Sequence, residues 1–186
     1  TEEASTMKAI IHIGMPKTGA RSIWTWMYSN CVALEAEGVH SLFAAPVPLL
    51  LMASIHVATV EDGLDEKTAW QGWEGKPGAR AFGLEIDENA VNATVAQQKR
   101  VRAKKIEHYY QVLISELENL SGKSGTFIWL DERLYDKRNL IFPLDKILGR
   151  FFDDITYVVY IRDTADFFVS KYSQDLRDCD ECFGTM

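Results

Sequence analysis

Cysteine is scarce in this chain, which has only Cys31, Cys179 and Cys182. A low, odd count without a visible secretory leader argues against a disulfide framework and is typical of a reducing compartment. Cys179 and Cys182 form a C-x-x-C pair, but one such pair supplies only half of a four-ligand zinc site. We therefore expect structural thiols and no bound metal.

The chain also has fewer basic than acidic residues, and it has no long apolar run. Lysine and arginine number 20 against 27 acidic residues, which gives a net charge of −7. This balance argues against broad nucleic-acid binding, because such binding needs a basic surface. The longest apolar run, residues 44–55, is about half a membrane span and contains two prolines. The sequence predicts a soluble, cytoplasmic protein with no transmembrane segment.

The length and composition are those of an ordinary globular domain. The chain has 186 residues, of which 47% are hydrophobic and 25% charged, and this length suits one well-packed domain. We expect that domain to span residues 7–186. Residues 1–6 are polar and acidic and are expected to form a disordered tail.

The most informative stretch lies near the start of the sequence. An apolar run, residues 9–13, leads into a turn with Gly14, Pro16, Lys17 and Gly19, and a helix-like pattern follows. Such a turn at a helix N-terminus aims backbone N–H groups and the positive end of the helix dipole at one point, which suits an anion. Lys17 adds a full positive charge. The stretch predicts a strand, an anion-binding loop and a helix.

The residues within this loop distinguish between two kinds of phosphate site. Gly14 and Gly19 have four residues between them, as in the G-x-x-x-x-G-K-[ST] loop of nucleotide triphosphatases, but Ala20 stands where that loop needs lysine. The sequence PKTGARS instead resembles the sulfotransferase loop, P-K-[TS]-G-[ST]-[ST]-[SW], which holds the 5′-phosphosulfate of 3′-phosphoadenosine 5′-phosphosulfate. Ala20 and Arg21 depart from that pattern, which carries two hydroxyl residues there.

A second match to the sulfotransferases lies near the end of the chain. Residues 155–161 are β-branched and aromatic and predict a buried strand. Arg162 follows directly, and Ser170 comes eight residues later. In the family, an arginine and a serine with this spacing grip the 3′-phosphate of the cofactor. The resemblance assigns that role to Arg162 and Ser170.

The resemblance implies a sulfuryl transfer from 3′-phosphoadenosine 5′-phosphosulfate to a hydroxyl or amine, with no metal. The product is 3′-phosphoadenosine 5′-phosphate, and the acceptor is a small molecule, a lipid or a carbohydrate. Lys17 is expected to neutralise the oxygen that leaves with the nucleotide. The implied cofactor-binding residues are Pro16, Lys17, Thr18, Gly19, Ala20, Arg21, Ser22, Arg162 and Ser170.

Two acidic residues follow another predicted strand. Residues 126–130 are β-branched, aromatic or aliphatic and predict a buried strand, and Asp131 and Glu132 come directly after them. This position corresponds to the edge where open α/β sheets bind ligands. The equivalent strand of bacterial sulfotransferases often ends in Ser-Ser-Glu, so the resemblance makes Glu132 the leading catalytic base. The alternative is a carboxylate that pairs with Arg133 or caps a turn.

Three histidines and a basic run are weaker candidates. His12 is expected to be a satisfied core residue, and nothing near His40 or His56 assigns them a role. The basic residues within 99–105 favour a solvated helix face, although an acidic substrate is the alternative. Trp70 and Trp73 lie in a long loop predicted over residues 62–80, and core anchors are favoured over a ligand platform for both.

Strand-like runs alternate with helix-like patterns along the chain. This order predicts a three-layer α/β fold, in which a P-loop-type parallel sheet is flanked by helices. The longest helical pattern covers residues 88–120, and a shorter one covers residues 21–34.

Other functions stay open at this point. Sulfotransferases commonly continue well beyond the helix that carries the serine, whereas this sequence ends at Met186. A fragment or a diverged member of the family is therefore one interpretation. A catalytically silent relative that binds a nucleotide or a partner protein is another, and turnover separates it from an enzyme. A P-loop nucleotide kinase is the third, but it lacks the lysine after Gly19 and an assignable magnesium ligand.

Overall fold

Four short strands form one parallel sheet. The computed structural model describes residues 7–14, 16–42, 49–70, 84, 94–120, 122–170 and 172–173. The strands are β1 (Met7–His12), β2 (Val39–His40), β3 (Gly125–Leu130) and β4 (Asp154–Val158). Their order across the sheet is β2-β3-β1-β4, and all neighbours run in parallel.

The register of the sheet brings three chain segments to the same edge. His12, the last residue of β1, pairs with Leu130 on one side and with Val158 on the other. The ladder continues beyond the strands, because the Asp131 N–H donates to the His12 carbonyl at 2.8 Å and the Ile13 N–H donates to the Val158 carbonyl at 2.9 Å. The segments after β1, β3 and β4 therefore leave the sheet side by side.

One face of the sheet carries the main core. Side chains alternate along a strand, so Ala9 and Ile11 share a face with Phe127 and Trp129, and each is at most 1% exposed. Three helices cover this face: α3 (Leu49–Val60), α5 (Val95–Leu120) and α6 (Ile141–Leu148). α3 is buried on almost every side because it packs against both α5 and α6. The short helix α4 (Glu66–Trp70) also contacts α3.

The opposite face of the sheet lies beneath α1 (Ala20–Ser29) and α2 (Cys31–Ala36). Ile10 and His12 point to this side, since they alternate with Ala9 and Ile11. Helices therefore flank both faces of a parallel sheet, and the predicted three-layer α/β fold is confirmed. Two 3₁₀ helices, Glu132–Asp136 and Arg138–Leu140, connect β3 to α6.

Several element boundaries differ from the predicted ones. The helix predicted over residues 21–34 is two helices, and Asn30 separates them by bonding through its side chain to the Trp26 carbonyl at 2.7 Å. The long helix starts at Val95, where Thr94 and Gln97 form a reciprocal capping box. The stretch 62–80, predicted as a loop, contains α4. Residues 82–86 have a sequence pattern that predicts a further strand, but except for Leu84 they lie outside the described residues.

The last longer helical stretch, α7, covers residues 164–170, and residues 172–173 are helical as well. Asp163 begins it as an N-cap, because its Oδ1 accepts the Ala165 N–H at 2.9 Å. The same carboxylate oxygen is 3.4 Å from the Asp166 backbone nitrogen. Within the described ranges, no helix has both the length and the apolar character needed to cross a bilayer.

Candidate functional site

The loop between β1 and α1 has the backbone shape of an anion cradle. Lys17 and Gly19 both have positive φ, at 69° and 93°. Residues in the left-handed region within a turn direct neighbouring N–H groups toward one side. Gly19 is the N-cap of α1. It has no side chain that could bond to the backbone N–H groups of the first turn. The first turn of α1 also contains no acidic residue. The positive end of the helix dipole is therefore not neutralised by a neighbouring carboxylate and favours an anion.

Arg162 joins this loop to the end of β4. Its guanidinium Nη1 donates a hydrogen bond of 2.9 Å to the Lys17 carbonyl, across 145 residues of sequence. Both residues are half-buried. The contact holds a second cation at the loop and brings together the two sequence motifs. A guanidinium has five N–H donors, so four remain after this bond.

Ser170 lies in α7, six residues after Thr164, and is half-buried. At about 1.5 Å of rise per residue, it is about 9 Å along the helix from Thr164. The motif spacing therefore corresponds to a separation of nearly two helical turns. Arg162 contacts the loop in the structure, whereas for Ser170 the assignment to the same site stays a prediction.

Asp131 has a structural role at the end of β3. It is 1% exposed, and its carboxylate binds Arg133 through two bonds, at 2.7 Å to Nε and 2.9 Å to Nη2. Its Oδ1 also accepts the Arg133 backbone N–H at 3.2 Å, which caps the 3₁₀ helix. The alternative to catalysis for Glu132 is a carboxylate that pairs with Arg133 or caps a turn. In the structure, Asp131 does both.

Glu132 lines an open cavity beside the loop. The cavity has a volume of about 400 Å³, and its other walls include Arg21, Trp24 and Trp129. The two indoles meet edge to face, with ring centroids 5.7 Å apart. In the described part of the chain, the Glu132 carboxylate has no hydrogen bond or ion pair. It is therefore the uncommitted carboxylate at this edge of the sheet.

His12 is buried beneath the same loop, but it is not the satisfied core histidine that the sequence predicts. It is 4% exposed, and its ring lies 4.9 Å from the ring of Tyr160. Neither ring nitrogen has a hydrogen-bond partner among the described residues. Burial lowers the pKa of His12 below its usual value, and the Glu132 charge opposes this shift. Among the described residues, His40 Nδ1, Ser41 Oγ and Trp129 Nε1 are also buried without a partner. His12 is distinguished from them by its place beside Gly14 and Tyr160.

Stability at mildly acid pH provides a test of this burial. The unfolded chain protonates His12 near pH 6.5, whereas the native state takes up the proton only at a lower pH. Between these values the unfolded state binds more protons, so stability falls as the pH falls. We expect wild type to lose up to about 1 kcal/mol per pH unit relative to His12→Phe in urea unfolding between pH 7.5 and 5.5. Parallel stability curves for the two proteins would contradict the burial.

His40 and His56 have contacts away from the carboxyl edge of the sheet. His40 places Nε2 3.1 Å from the Ser124 carbonyl oxygen, before β3 begins. His56 stacks on Tyr110 with ring centroids 4.5 Å apart. Neither histidine joins the loop site. No cluster of three or more His, Cys, Asp or Glu suited to a metal occurs in the ranges that the structure describes.

The basic run on α5 is not wholly a solvated face. Arg102 is 4% exposed and lies over the Trp70 ring, 4.7 Å from its centroid. Trp70 is itself buried, in agreement with the predicted core anchor. Lys99 and Arg100 line a separate groove between α3 and α5.

Comparison with known proteins adds no evidence about this site. No protein-family model matches the sequence, and neither a curated protein nor a solved structure matches it. The site consists of a loop with two left-handed residues, two half-buried cations and one uncommitted carboxylate. These features are suited to an anionic ligand beside a potential base.

Proposed function

We propose that this chain is a sulfotransferase that binds 3′-phosphoadenosine 5′-phosphosulfate at residues 16–22 and at Arg162. The loop sequence PKTGARS and the Arg162 to Ser170 spacing are similar to the two cofactor motifs of that family. The proposed acceptor is a hydroxyl or amine of a small molecule, lipid or carbohydrate. Localisation in the cytoplasm is part of the same proposal.

The observation that carries the proposal is the hydrogen bond from Arg162 to the Lys17 carbonyl. One motif would be compatible with many anion sites, but two motifs in contact at the carboxyl edge of a parallel sheet are more specific. The 5′ and 3′ phosphates of the cofactor carry negative charge at two points. A loop with Lys17 and an adjacent guanidinium offers cations for both of them.

The loop residues support phosphate binding through the backbone. Gly19 and Ala20 have no hydroxyl, and Ala20 is buried at the start of α1, so backbone N–H groups are the available donors there. The hydroxyl and basic side chains at this end of the loop are Thr18, Arg21 and Ser22. Arg21 is exposed and lines the Glu132 cavity. It is therefore able to meet an anionic group at the boundary between the cofactor and the acceptor.

Three side chains have separate roles in the proposed sulfuryl transfer. The bound cofactor would supply an activated sulfuryl group. Lys17 stabilises negative charge on the oxygen that departs with the nucleotide. Glu132 accepts the proton of the attacking hydroxyl or amine, and its free carboxylate in a 400 Å³ cavity leaves room for that acceptor. Arg162 orients the nucleotide so that attack is in line.

A nucleotide kinase is less well supported by these contacts. The acidic residue directly after β3 would be the natural magnesium partner, but the Asp131 carboxylate is already bound twice by Arg133. Ala20 again replaces the lysine that such a loop requires. A silent nucleotide-binding module has the same residues available for binding and differs only in having no turnover.

Replacing Glu132 by glutamine tests the catalytic part of the proposal. The substitution keeps the shape of the side chain and removes its basicity. We expect sulfuryl transfer to fall by about 10²-fold or more, with unchanged affinity for 3′-phosphoadenosine 5′-phosphate. The measurement is transfer of ³⁵S-labelled sulfuryl from 3′-phosphoadenosine 5′-phosphosulfate to a panel of phenols, alcohols, sugars and amines.

Glu118→Gln is the matched control, because Glu118 is exposed on α5 and lines none of the site. It should transfer at the wild-type rate. Transfer by Glu132→Gln at that same rate would remove Glu132 as the base. Nucleotide binding by wild type without transfer to any acceptor would favour the silent module.

A further inference from the structure

A second cavity lies on the opposite face of the sheet, between the strands and helices α1 and α2. It has a volume of about 320 Å³ and is separate from the Glu132 cavity, and Leu130 is the one described residue that lines both. Its inner walls are aliphatic or thioether side chains. They include Ile10, Ile128 and Val158 from the strands and Ile23, Met27 and Leu34 from the helices. None of residues 16–22 lines it.

One ionisable imidazole, that of His12, lines this apolar cavity. Both ring nitrogens are buried and have no hydrogen-bond partner in the described part of the chain. Gly14 makes space for the ring, because a Cβ at residue 14 would lie 2.5 Å from His12 Nε2. The cavity therefore combines an apolar lining with a polar group that needs a partner, which is the usual composition of a small-molecule site.

The charges around the cavity select against an ionic ligand. None of the described residues that line it is a lysine, arginine, aspartate or glutamate. Burial lowers the pKa of His12, so at neutral pH the imidazole is uncharged, with one donor and one acceptor nitrogen. A carboxylate or an ammonium group would lose its hydration there without gaining a counter-charge. A hydroxyl loses less and is able to bond to either nitrogen.

The size and the mouth of the cavity favour an aromatic ring. An apolar cavity of roughly 150 Å³ is enough for benzene, so 320 Å³ accommodates a substituted ring. Trp26 and Tyr160 line the same cavity and are 59% and 49% exposed, which places aromatic faces at its opening. Aromatic pairs in offset or edge-to-face contact add to the gain from apolar burial.

We propose that this cavity is a binding site for a small uncharged aromatic alcohol, whose hydroxyl hydrogen-bonds His12 while its ring lies among the apolar side chains of β1, α1 and α2. The site is distinct from the proposed nucleotide loop and goes beyond the proposed transfer activity. His12 selects for the hydroxyl, and the aliphatic walls select for the uncharged ring.

The test is a titration of the intact chain, labelled at its methionine methyl groups, with p-cresol and without nucleotide. Met27 lines the cavity, whereas Met52 is buried in α3 on the other side of the sheet and serves as an internal control. We expect p-cresol to shift the Met27 methyl resonance saturably and to leave Met52 unchanged. Toluene should bind at least tenfold more weakly, and 4-methylbenzoate should not bind.

Two variants separate the polar anchor from the cavity itself. His12→Phe should reduce p-cresol affinity to that of toluene. Trp26→Ala should weaken both ligands, whereas Tyr28→Ala should change neither, since Tyr28 is equally exposed on α1 but does not line the cavity. The proposal is overturned if p-cresol does not shift Met27, or if wild type binds toluene as tightly as p-cresol. Neither result bears on the nucleotide loop, which the titration does not use.

Discussion

Arg162→Ala is expected to weaken binding of 3′-phosphoadenosine 5′-phosphate by about 100-fold. The guanidinium has two separate effects in the account given above. It fixes the loop through its bond to the Lys17 carbonyl, and it offers its remaining donors to the 3′-phosphate. Hydrogen bonds to charged groups contribute about 1.5–3 kcal/mol, and 100-fold corresponds to about 2.7 kcal/mol.

The two effects of Arg162 are separable by the choice of ligand. Adenosine 5′-phosphate lacks the 3′-phosphate. Arg162→Ala should therefore weaken its binding only to the extent that the loop loses its hydrogen bond from Arg162. Calorimetric titration of both nucleotides into both proteins gives the difference directly. Arg150→Ala is the matched control, since Arg150 is exposed before β4 at the other end of the sheet, where it bonds Tyr110. Equal losses for the two nucleotides would contradict contact between Arg162 and the 3′-phosphate.

Gly14→Ala is expected to destabilise the fold by about 2–3 kcal/mol and to reduce nucleotide affinity at least tenfold. An added Cβ would lie 2.8 Å from the backbone nitrogen of Tyr160 and 2.5 Å from His12 Nε2. The first contact is with backbone next to β4, which cannot rotate away. Relief requires the start of the loop to separate from the end of β4, and this movement would pull the Arg162 segment away from Lys17.

Urea unfolding and the same calorimetric titration measure both effects of Gly14→Ala. The double variant His12→Ala/Gly14→Ala tests the cause, because it removes the overlap with the imidazole and retains the overlap with the Tyr160 nitrogen. We expect nucleotide binding to stay weak in the double variant. Full recovery of nucleotide binding would mean that overlap with the His12 ring alone causes the loss in Gly14→Ala, and that overlap with the Tyr160 nitrogen does not contribute.

Local patterns in the sequence were sufficient to predict the sheet. β-Branched and aromatic runs mark β1, β3 and β4, and the glycine-containing turn after β1 marks the start of α1. The prediction of a buried strand over residues 155–161 is wrong in two respects. The strand ends at Val158, where its ladder with β1 ends, and none of its residues is buried, because β4 lies at the edge of the described sheet. Helix ends were harder to predict, since they depend on single side-chain bonds such as those of Asn30 and Thr94.

The site was predictable only in part, because its decisive contacts are non-local. The Lys17 to Arg162 bond joins residues that no sequence window contains together. The pairing of Asp131 with Arg133 is local, but the sequence offered two adjacent carboxylates for one arginine, and only the structure shows which one pairs. His12 occupied a strand position typical of a core residue, and its lack of a partner depends on the surroundings contributed by β3 and β4.

The central claim is that the loop and Arg162 bind a nucleotide bisphosphate, and calorimetric titration with 3′-phosphoadenosine 5′-phosphate tests it most directly. ATP with magnesium is the comparison ligand, and Lys17→Ala is the variant. The account predicts binding of the bisphosphate by wild type, clearly poorer binding of ATP, and a large loss of bisphosphate affinity in Lys17→Ala. An absence of bisphosphate binding, or tighter binding of ATP with magnesium, would contradict it.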